Sequence, residues 1–152
     1  SQLTLEAVVN FDGNSNDFIF EKGNVNTQYS LFSHGSDIVF RTYHDGDGQY
    51  NTLLIQKANA APPILNGVFN HIVGTWNGSL KRLVVNGKSI GSSSKSGNLV
   101  TTTPGAAVGD FGGTSTGYPF GGKIALVRVY NKGLTTDEVK QNFEALKGRF
   151  GL

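Results

Sequence analysis

The chain has 152 residues, and 13 Lys and Arg against 11 Asp and Glu give it a formal net charge of +2. This length suits one domain, and so small a charge excess does not indicate a nucleic-acid-binding surface. The absence of cysteine excludes disulfide frameworks, thiolate zinc sites and cysteine nucleophiles. Charged residues make up only 16% of the chain and glycines number 21, which is typical of a turn-rich β protein.

The composition also bears on the extent of the protein and on its surroundings. No apolar run of about 18 residues occurs, so we expect no membrane insertion. Methionine is absent. We therefore expect residues 1–152 to form a single domain that was excised from a longer chain or is its C-terminal part.

Alternation of apolar and polar residues with a period of two starts near the first residue and predicts β-strands. The residues expected to share one face of the first strand are Leu3, Leu5, Ala7, Val9 and Phe11. The residues expected on its other face are Thr4, Glu6, Val8 and Asn10. The alternation continues at Phe18 and Phe20, Tyr29 and Leu31, and Ile38 and Phe40.

Turn signals separate the strands that follow. They are Asp45-Gly46-Asp47-Gly48 between Ile38–Tyr43 and Asn51–Gln56, Asn77-Gly78 between Asn70–Trp76 and Lys81–Val85, and Asn86-Gly87 after Val85. A last strand over Lys123–Tyr130 has apolar residues on both faces, which indicates a central, largely buried strand. Short strands with Gly-rich turns predict a sandwich or barrel.

A single helix is predicted at the end of the chain. Thr135 and Glu138 have the spacing of a capping box, and Val139, Phe143 and Leu146 then fall on one helical face. Gly148 lowers the helix propensity, so we expect the helix to end there.

Several segments resemble the laminin G-like domains of the concanavalin A-like lectin/glucanase superfamily. Leu3–Val9 resembles the T-E-A-W-V strand, His71–Gly78 the H-V-A-x-T-Y-D-G hairpin, and Leu83–Lys88 the L-Y-V-N-G signature. Phe120–Glu138 resembles F-x-G-x-I-x-x-V-R-I-Y-N-x-x-L-S-x-x-E-I. These blocks occur in family order over nearly the whole chain. The resemblance implies an all-β, concanavalin A-like jelly-roll β-sandwich of about a dozen strands with a short C-terminal helix.

The end of the chain carries a narrower resemblance. Gln141–Phe150 is similar to the ends of such domains in virion proteins of tailed phages, particularly marine ones. This resemblance implies a host-recognition or surface-decoration module within a larger virion or extracellular protein.

Catalysis is not expected, although the superfamily includes glycoside hydrolases. Retaining glycosidases need two carboxylates about 5 Å apart. Glu6 has no acidic partner at positions 8 or 9, and Asp45 and Asp47 lie in a Gly-rich turn. We expect His71 to make a structural bond on its strand and Trp76 to pack at the edge of the core.

Calcium is the one cofactor left open by these residues. Asp45-Gly46-Asp47-Gly48 is similar to the start of a calcium loop, but Gln56 stands where the EF-hand pattern needs Glu. Members of the family that this chain resembles often carry an acidic pair after F-x-G-x-I, and in calcium-binding relatives an acidic residue there can help hold the ion. This chain has Ala125 and Leu126 at these positions. We interpret the first segment as a tight turn and expect no cofactor, with calcium as the alternative.

Turn order predicts where recognition takes place. Successive turns of an antiparallel meander alternate between the two ends of the sheet. If Leu99–Thr103 and Ala106–Gly109 are strands, this rule places one set of residues at the same end of the sandwich, which we call the rim. The rim residues are Tyr43, Asp45, Asp47, Tyr50, Asn77, Asp110 and Tyr118. Tyrosine rings with Asp and Asn side chains suit sugar binding, so we predict a carbohydrate site there and a cell-surface glycan as partner. The alternative is a structural decoration or assembly domain with an exposed apolar patch or an unpaired edge at Leu3–Asn10.

Overall fold

A computed structural model describes residues 1–13, 16–23, 28–47, 49–101, 105–111 and 118–152. The strands of this part of the chain are β1 (Leu3–Phe11), β2 (Asn16–Lys22), β3 (Tyr29–His34), β4 (Asp37–Tyr43), β5 (Tyr50–Gln56), β6 (Phe69–Trp76), β7 (Leu80–Val85), β8 (Lys88–Ser94), β9 (Ala106–Val108) and β10 (Gly122–Tyr130). A 3-10 turn spans Lys57–Asn59, and one helix, α1, spans Thr136–Phe150.

The strands form two antiparallel five-stranded sheets, which confirms the predicted all-β sandwich. One has the order β10-β1-β6-β7-β8 and the other β5-β4-β3-β2-β9. We call the first the helix-covered sheet, because Asn142 and Phe143 of α1 contact Glu6 and His71 on its outer face. The second is the open sheet.

The core lies between the sheets and follows the alternation seen in the sequence. All five residues predicted for one face of β1 belong to this core, together with Ile72, Trp76 and Leu83 from the same sheet and Ile19, Ile38 and Phe40 from the open sheet. Trp76 is fully buried, and its indole N–H donates to the Lys95 carbonyl at 2.7 Å. This confirms the packing role predicted for Trp76.

Gly74 lets the two sheets approach closely. A Cβ atom on Gly74 of β6 would lie 2.6 Å from the Phe40 ring. We therefore expect Gly74→Ala to lower the free energy of unfolding by about 1–3 kcal/mol through overpacking, measured by urea denaturation. Gly148→Ala is the matched control. A Cβ at this helical position would meet nothing within 4 Å, so the same change should be neutral or stabilising there. Equal effects at both sites would contradict the packing argument.

Buried polar residues join α1 to the helix-covered sheet. Glu6 Oε1 lies 2.8 Å from His71 Nε2, and Glu6 Oε2 accepts hydrogen bonds from the Tyr130 hydroxyl at 2.5 Å and the Asn142 amide at 3.2 Å. Burial raises the pKa of Glu6, but the bonds and charges of His71, Tyr130 and Arg128 outweigh it, so this pKa lies below its ordinary value. The structural role expected for His71 is confirmed.

The predicted local signals reappear in the structure. The three turn signals connect β4 with β5, β6 with β7, and β7 with β8. Asn86 and Gly87 have φ angles of 47° and 76°, as a two-residue hairpin turn requires. Thr135 and Glu138 form the capping box. Within the described ranges, no helix has both the length and the apolar composition needed to cross a lipid bilayer.

The predicted position of the last strand is wrong, and one feature expected of an assembly domain is not found. β10 pairs with β1 and ends the order of the helix-covered sheet, so it is an edge strand rather than a central, largely buried one. Val129 on β10 is 45% exposed. The central strand is β1, which pairs with both β10 and β6, so Leu3–Asn10 is not an unpaired edge. Apolar residues on both faces of a strand do not reveal how many partners it has.

The helix continues past the predicted end at Gly148. It ends at Phe150, and Gly151 in the left-handed conformation donates its N–H to the Lys147 carbonyl. The Phe150 ring lies 5.8 Å from the Phe69 ring. This packing and the C-cap outweigh the low helix propensity of one glycine.

Candidate functional site

Five of the seven predicted site residues lie at one end of the sandwich. Tyr43 and Tyr50 face each other across β4 and β5, with ring centroids 5.7 Å apart, and Asp45 and Asp47 lie in the turn between them. Asn77 lies at the same end, as the contacts of Lys95 show. Its Nζ forms an ion pair with Asp47 at 2.6 Å, and its backbone N–H donates to the carbonyl of Ser79, in the turn that Asn77 begins.

Asp110 and Tyr118 lie toward the opposite end, so the predicted single rim does not form. The Tyr118 ring is 6.0 Å from the Phe18 ring, and the Gly109 N–H next to Asp110 donates to the Ile19 carbonyl. Phe18 and Ile19 are near the start of β2, whereas Tyr43 is at the end of β4.

A crossing segment explains this error. Leu99 makes an isolated bridge to His44, where a strand over Leu99–Thr103 was predicted. Asn98 and Val100 also bond to Asp45 and Tyr43. The segment therefore crosses one end of the sandwich before β9 pairs with β2, which shifts the count of strands by one. Thr102 and Thr103 lie outside the described residues, as do residues 112–117.

At the end of the sandwich that carries Tyr43 and Tyr50, Asp47 and Asn77 already make bonds within the protein. Asp47 pairs with Lys95, and the Asn77 side chain accepts from the backbone N–H groups of Ser79 and Leu80. Across the part of the chain that the structure describes, no three His, Asp or Glu side chains are grouped as a metal site. The bonds of Asp47 and Asn77 stabilise the turns at this end of the sandwich.

A different set of residues forms a pocket on the outer face of the open sheet. It measures about 130 Å³ and is lined by Phe32, His34, Asp37, Val39, Arg41, Thr52 and Leu54. We call it the outer-face pocket. It adjoins Tyr50, because the Arg41 guanidinium carbon lies 4.4 Å from the Tyr50 ring centroid.

Arg41 is the central charged group of this pocket. Its guanidinium carbon is also 4.6 Å from the Phe32 ring centroid, so rings from both neighbouring strands contact it. Burial lowers the pKa of Arg41, while the charges of Tyr50 and Glu21 act in the opposite direction. Its Nε atom is buried and has no hydrogen-bond partner among the described residues.

Aromatic rings form one side of the same face. The Phe18 and Phe32 rings stack at 4.6 Å with an interplanar angle of 2°, and Phe111 and Tyr118 contact Phe18. Tyr118 is 45% exposed. The outer face thus combines flat apolar surfaces with the polar groups of the pocket.

The sequence pattern predicts only part of this pocket. The alternation that places Ile38 and Phe40 in the core requires Val39 and Arg41 on the opposite face of β4. What the alternation does not specify is that Phe32 and Tyr50 lie next to Arg41, because this depends on which strands flank β4.

A larger open pocket is found at the other end of the sandwich. It measures about 320 Å³ and is lined by loop residues that include Gly13, Ser36, Pro63 and Asn66, with Lys57 as its charged side chain. The Lys57 amine donates to the Ser33 hydroxyl at 3.1 Å. No aromatic ring or carboxylate lines this pocket among the described residues, so it is the weaker candidate for a binding site.

Two antiparallel sheets with a buried interface, an open outer face and a C-terminal helix define a β-sandwich of the concanavalin A-like type. The family model Laminin_G_3, of the concanavalin A-like lectin/glucanases superfamily, matches residues 1–140, and the chain belongs to this family. No curated protein sequence matches the chain.

Solved structures share the fold. The carbohydrate-binding module CBM40 of the Ruminococcus gnavus IT-sialidase, bound to α2,3-sialyllactose, has a TM-score of 0.77 at 19% identity, over 93% of this chain and 82% of that one. The leech intramolecular trans-sialidase has a TM-score of 0.74 at 22% identity, over 93% of this chain but 23% of that one. The binding domain of botulinum neurotoxin serotype D has a TM-score of 0.65 at 13% identity, over 95% and 37%.

Proposed function

We propose that this domain is a non-catalytic carbohydrate-binding module that binds a cell-surface glycan or polysaccharide at the outer-face pocket. The observation that carries the proposal is one open surface that joins aromatic rings to hydrogen-bonding groups. Tyr50 is 38% exposed beside Arg41, while His34, Asp37 and Thr52 line the same pocket.

This combination suits the chemistry of a pyranose. A sugar ring has an apolar C–H face, which packs on aromatic rings, and hydroxyl groups that both donate and accept hydrogen bonds. Asp37 accepts, Arg41 donates, and Thr52 does both. Asp37 Oδ1 has no hydrogen-bond partner among the described residues, so its carboxylate retains acceptor capacity at the pocket.

Comparison with other proteins supports the proposal. The sialidase module with this fold was solved with sialyllactose bound. Tyr50 contacts Arg41 of the outer-face pocket and Tyr43 packs against Tyr50, so we include both tyrosines in the proposed site. A longer glycan would reach Asp45, Asp47 and Asn77 at one end of the face or Asp110 and Tyr118 at the other.

A glycan-array screen of the folded domain, with calcium and again with chelator, tests the function. We expect calcium-independent binding. Thr52→Gln places a longer side chain in the pocket and should weaken the affinity at least about tenfold, or ~1.4 kcal/mol, measured by titration calorimetry on the best array ligand.

Matched variants locate the site. Ser92→Gln changes an exposed strand residue of the other sheet, so it should leave the affinity unchanged. Asp45→Ala, at the exposed turn, should have little effect on a short ligand. Loss of binding with Asp45→Ala but not with Thr52→Gln would transfer the site to the rim. A folded sample that binds no glycan would refute the function.

The biological context that we propose is a larger virion or extracellular protein, in which this domain recognises a host surface. The resemblance of Gln141–Phe150 to the ends of phage virion domains supports it. A carbohydrate-binding domain acts where cell-surface glycans are accessible, which agrees with this placement.

A structural assembly domain is the second candidate, and the exposed edge strand favours it. β10 is nine residues long and carries Val129 at its surface. An exposed apolar edge is a template for pairing with another chain. Concentration-dependent mass by light scattering, together with a negative glycan array, would favour assembly over recognition.

A further inference from the structure

Arg41 is a partly buried cation, and its surroundings differ from those of three partly or fully buried lysines. Lys95 pairs with Asp47, Lys81 donates to carbonyl oxygens, and Lys57 donates to the Ser33 hydroxyl. No carboxylate of the described residues lies within ion-pair distance of Arg41. The charge of Glu21 acts on Arg41 and favours its protonated form.

The aromatic rings around Arg41 hold its guanidinium in an orientation that suits a planar anion. Phe32 and Tyr50 contact the guanidinium from the two neighbouring strands, which restricts its orientation. Its N–H groups lie in one plane and form a fork that matches a carboxylate in two parallel hydrogen bonds. The orphaned Nε belongs to this fork. A carboxylate bound to the guanidinium would compensate its partly buried charge.

We propose that the outer-face pocket takes a sugar that carries a carboxylate, with the carboxylate on the Arg41 guanidinium. This inference rests on the proposed carbohydrate-binding function and adds the chemical class of the ligand. The shared chemistry is a pyranose with one carboxylate, which both nonulosonic and uronic acids provide.

The position of Asp37 determines which end of the pocket holds the acidic sugar. Asp37 and Arg41 both line the pocket and are four residues apart on β4, which corresponds to about 13 Å along a strand. The Asp37 carboxylate repels an acidic group and accepts hydroxyl protons. The acidic sugar therefore lies at the Arg41 and Tyr50 end, and its neutral neighbour lies toward Asp37 and His34.

Titration calorimetry with three probes tests the inference: 3′-sialyllactose, digalacturonic acid and lactose. We expect wild-type protein to bind at least one acidic probe about tenfold or more tightly than lactose. Methyl esterification of the preferred acid should remove that advantage, because it eliminates the charge without changing the protein. The better acidic probe distinguishes a nonulosonic from a uronic acid ligand.

Variants of Arg41 give the complementary result. Arg41→Met keeps an apolar stem between the rings and should reduce acid binding to the level of lactose. Arg41→Lys keeps the charge but loses the fork, so it should recover only part of the affinity. Arg82→Met, on β7 of the other sheet, is the matched control and should bind like wild type.

The outcomes separate the two proposals. Equal wild-type affinity for lactose and for the acids would overturn the carboxylate inference and leave carbohydrate binding intact. Failure to bind any of these probes, or any glycan on the array, would overturn both. If Arg41→Met does not fold, the esterified ligand with wild-type protein still decides between a carboxylate and a neutral sugar.

Discussion

Replacing Glu6 with alanine is expected to lower the free energy of unfolding by about 4 kcal/mol. Glu6 and His71 are both fully buried, and the Glu6 carboxylate accepts from Tyr130 and Asn142. Alanine would leave these groups without their acceptor in the interface between α1 and the sheet, and it would also create a cavity. Urea denaturation at neutral pH measures the change.

The control for Glu6→Ala is Glu144→Ala on the exposed face of α1. Glu144 is 47% exposed and pairs with Lys147, and such a surface pair contributes at most about 1 kcal/mol. Glu6→Gln keeps the shape but removes the charge and one acceptor oxygen, so it should fall between the two. A loss below about 1 kcal/mol for Glu6→Ala would show that the network does not hold the helix on the sheet.

The pH dependence of Glu6 has a definite sign. Because the pKa of Glu6 is lower in the folded protein than in the unfolded chain, its contribution is fully present above the unfolded pKa. The contribution is lost as the pH falls through the folded value. The difference in stability between wild type and Glu6→Ala should therefore shrink under acidic conditions.

The second large effect is expected from Lys81, in the interior between the sheets. Its Nζ donates to the Phe40 carbonyl at 3.2 Å and the Asn51 carbonyl at 2.7 Å, and the side chain is fully buried. Burial, with the nearby charges of Lys95 and Arg41, lowers the pKa of Lys81 from 10.5 to about 7. The Lys81 amine therefore loses its proton at a lower pH in the folded protein than in the unfolded chain.

Stability is expected to rise with pH through Lys81. Between about pH 7 and 10.5 the unfolded chain holds one proton more than the folded protein, so the slope is up to ~1.4 kcal/mol per pH unit. Wild type should gain about 2 kcal/mol relative to Lys81→Met between pH 7.5 and 9.5, measured by urea denaturation at both values. Lys88→Met, an exposed lysine on β8, should show no such difference. Parallel pH profiles for wild type and Lys81→Met would contradict the prediction.

Part of the candidate site could be predicted from the sequence. Tyr43 and Tyr50 flank a Gly-rich turn, and the hairpin signal places them opposite each other. Arg41 follows from the alternation along β4, but its contacts with Phe32 and Tyr50 depend on the sheet order. Asp110 and Tyr118 were misplaced because one predicted strand is a crossing segment with a single bridge at Leu99.

The sequence by itself determined most of the strands, the hairpin turns, the start of the capped helix and the face of β1 that enters the core. These features depend on backbone preferences and on the period of two, which act over a few neighbouring residues. Only the tertiary structure decided that β1 is central and β10 an edge, that the segment after β8 crosses to the open sheet, and that Arg41 lies between two aromatic rings. Pairing between strands far apart in the chain is governed by packing of the whole sandwich, which no local pattern encodes.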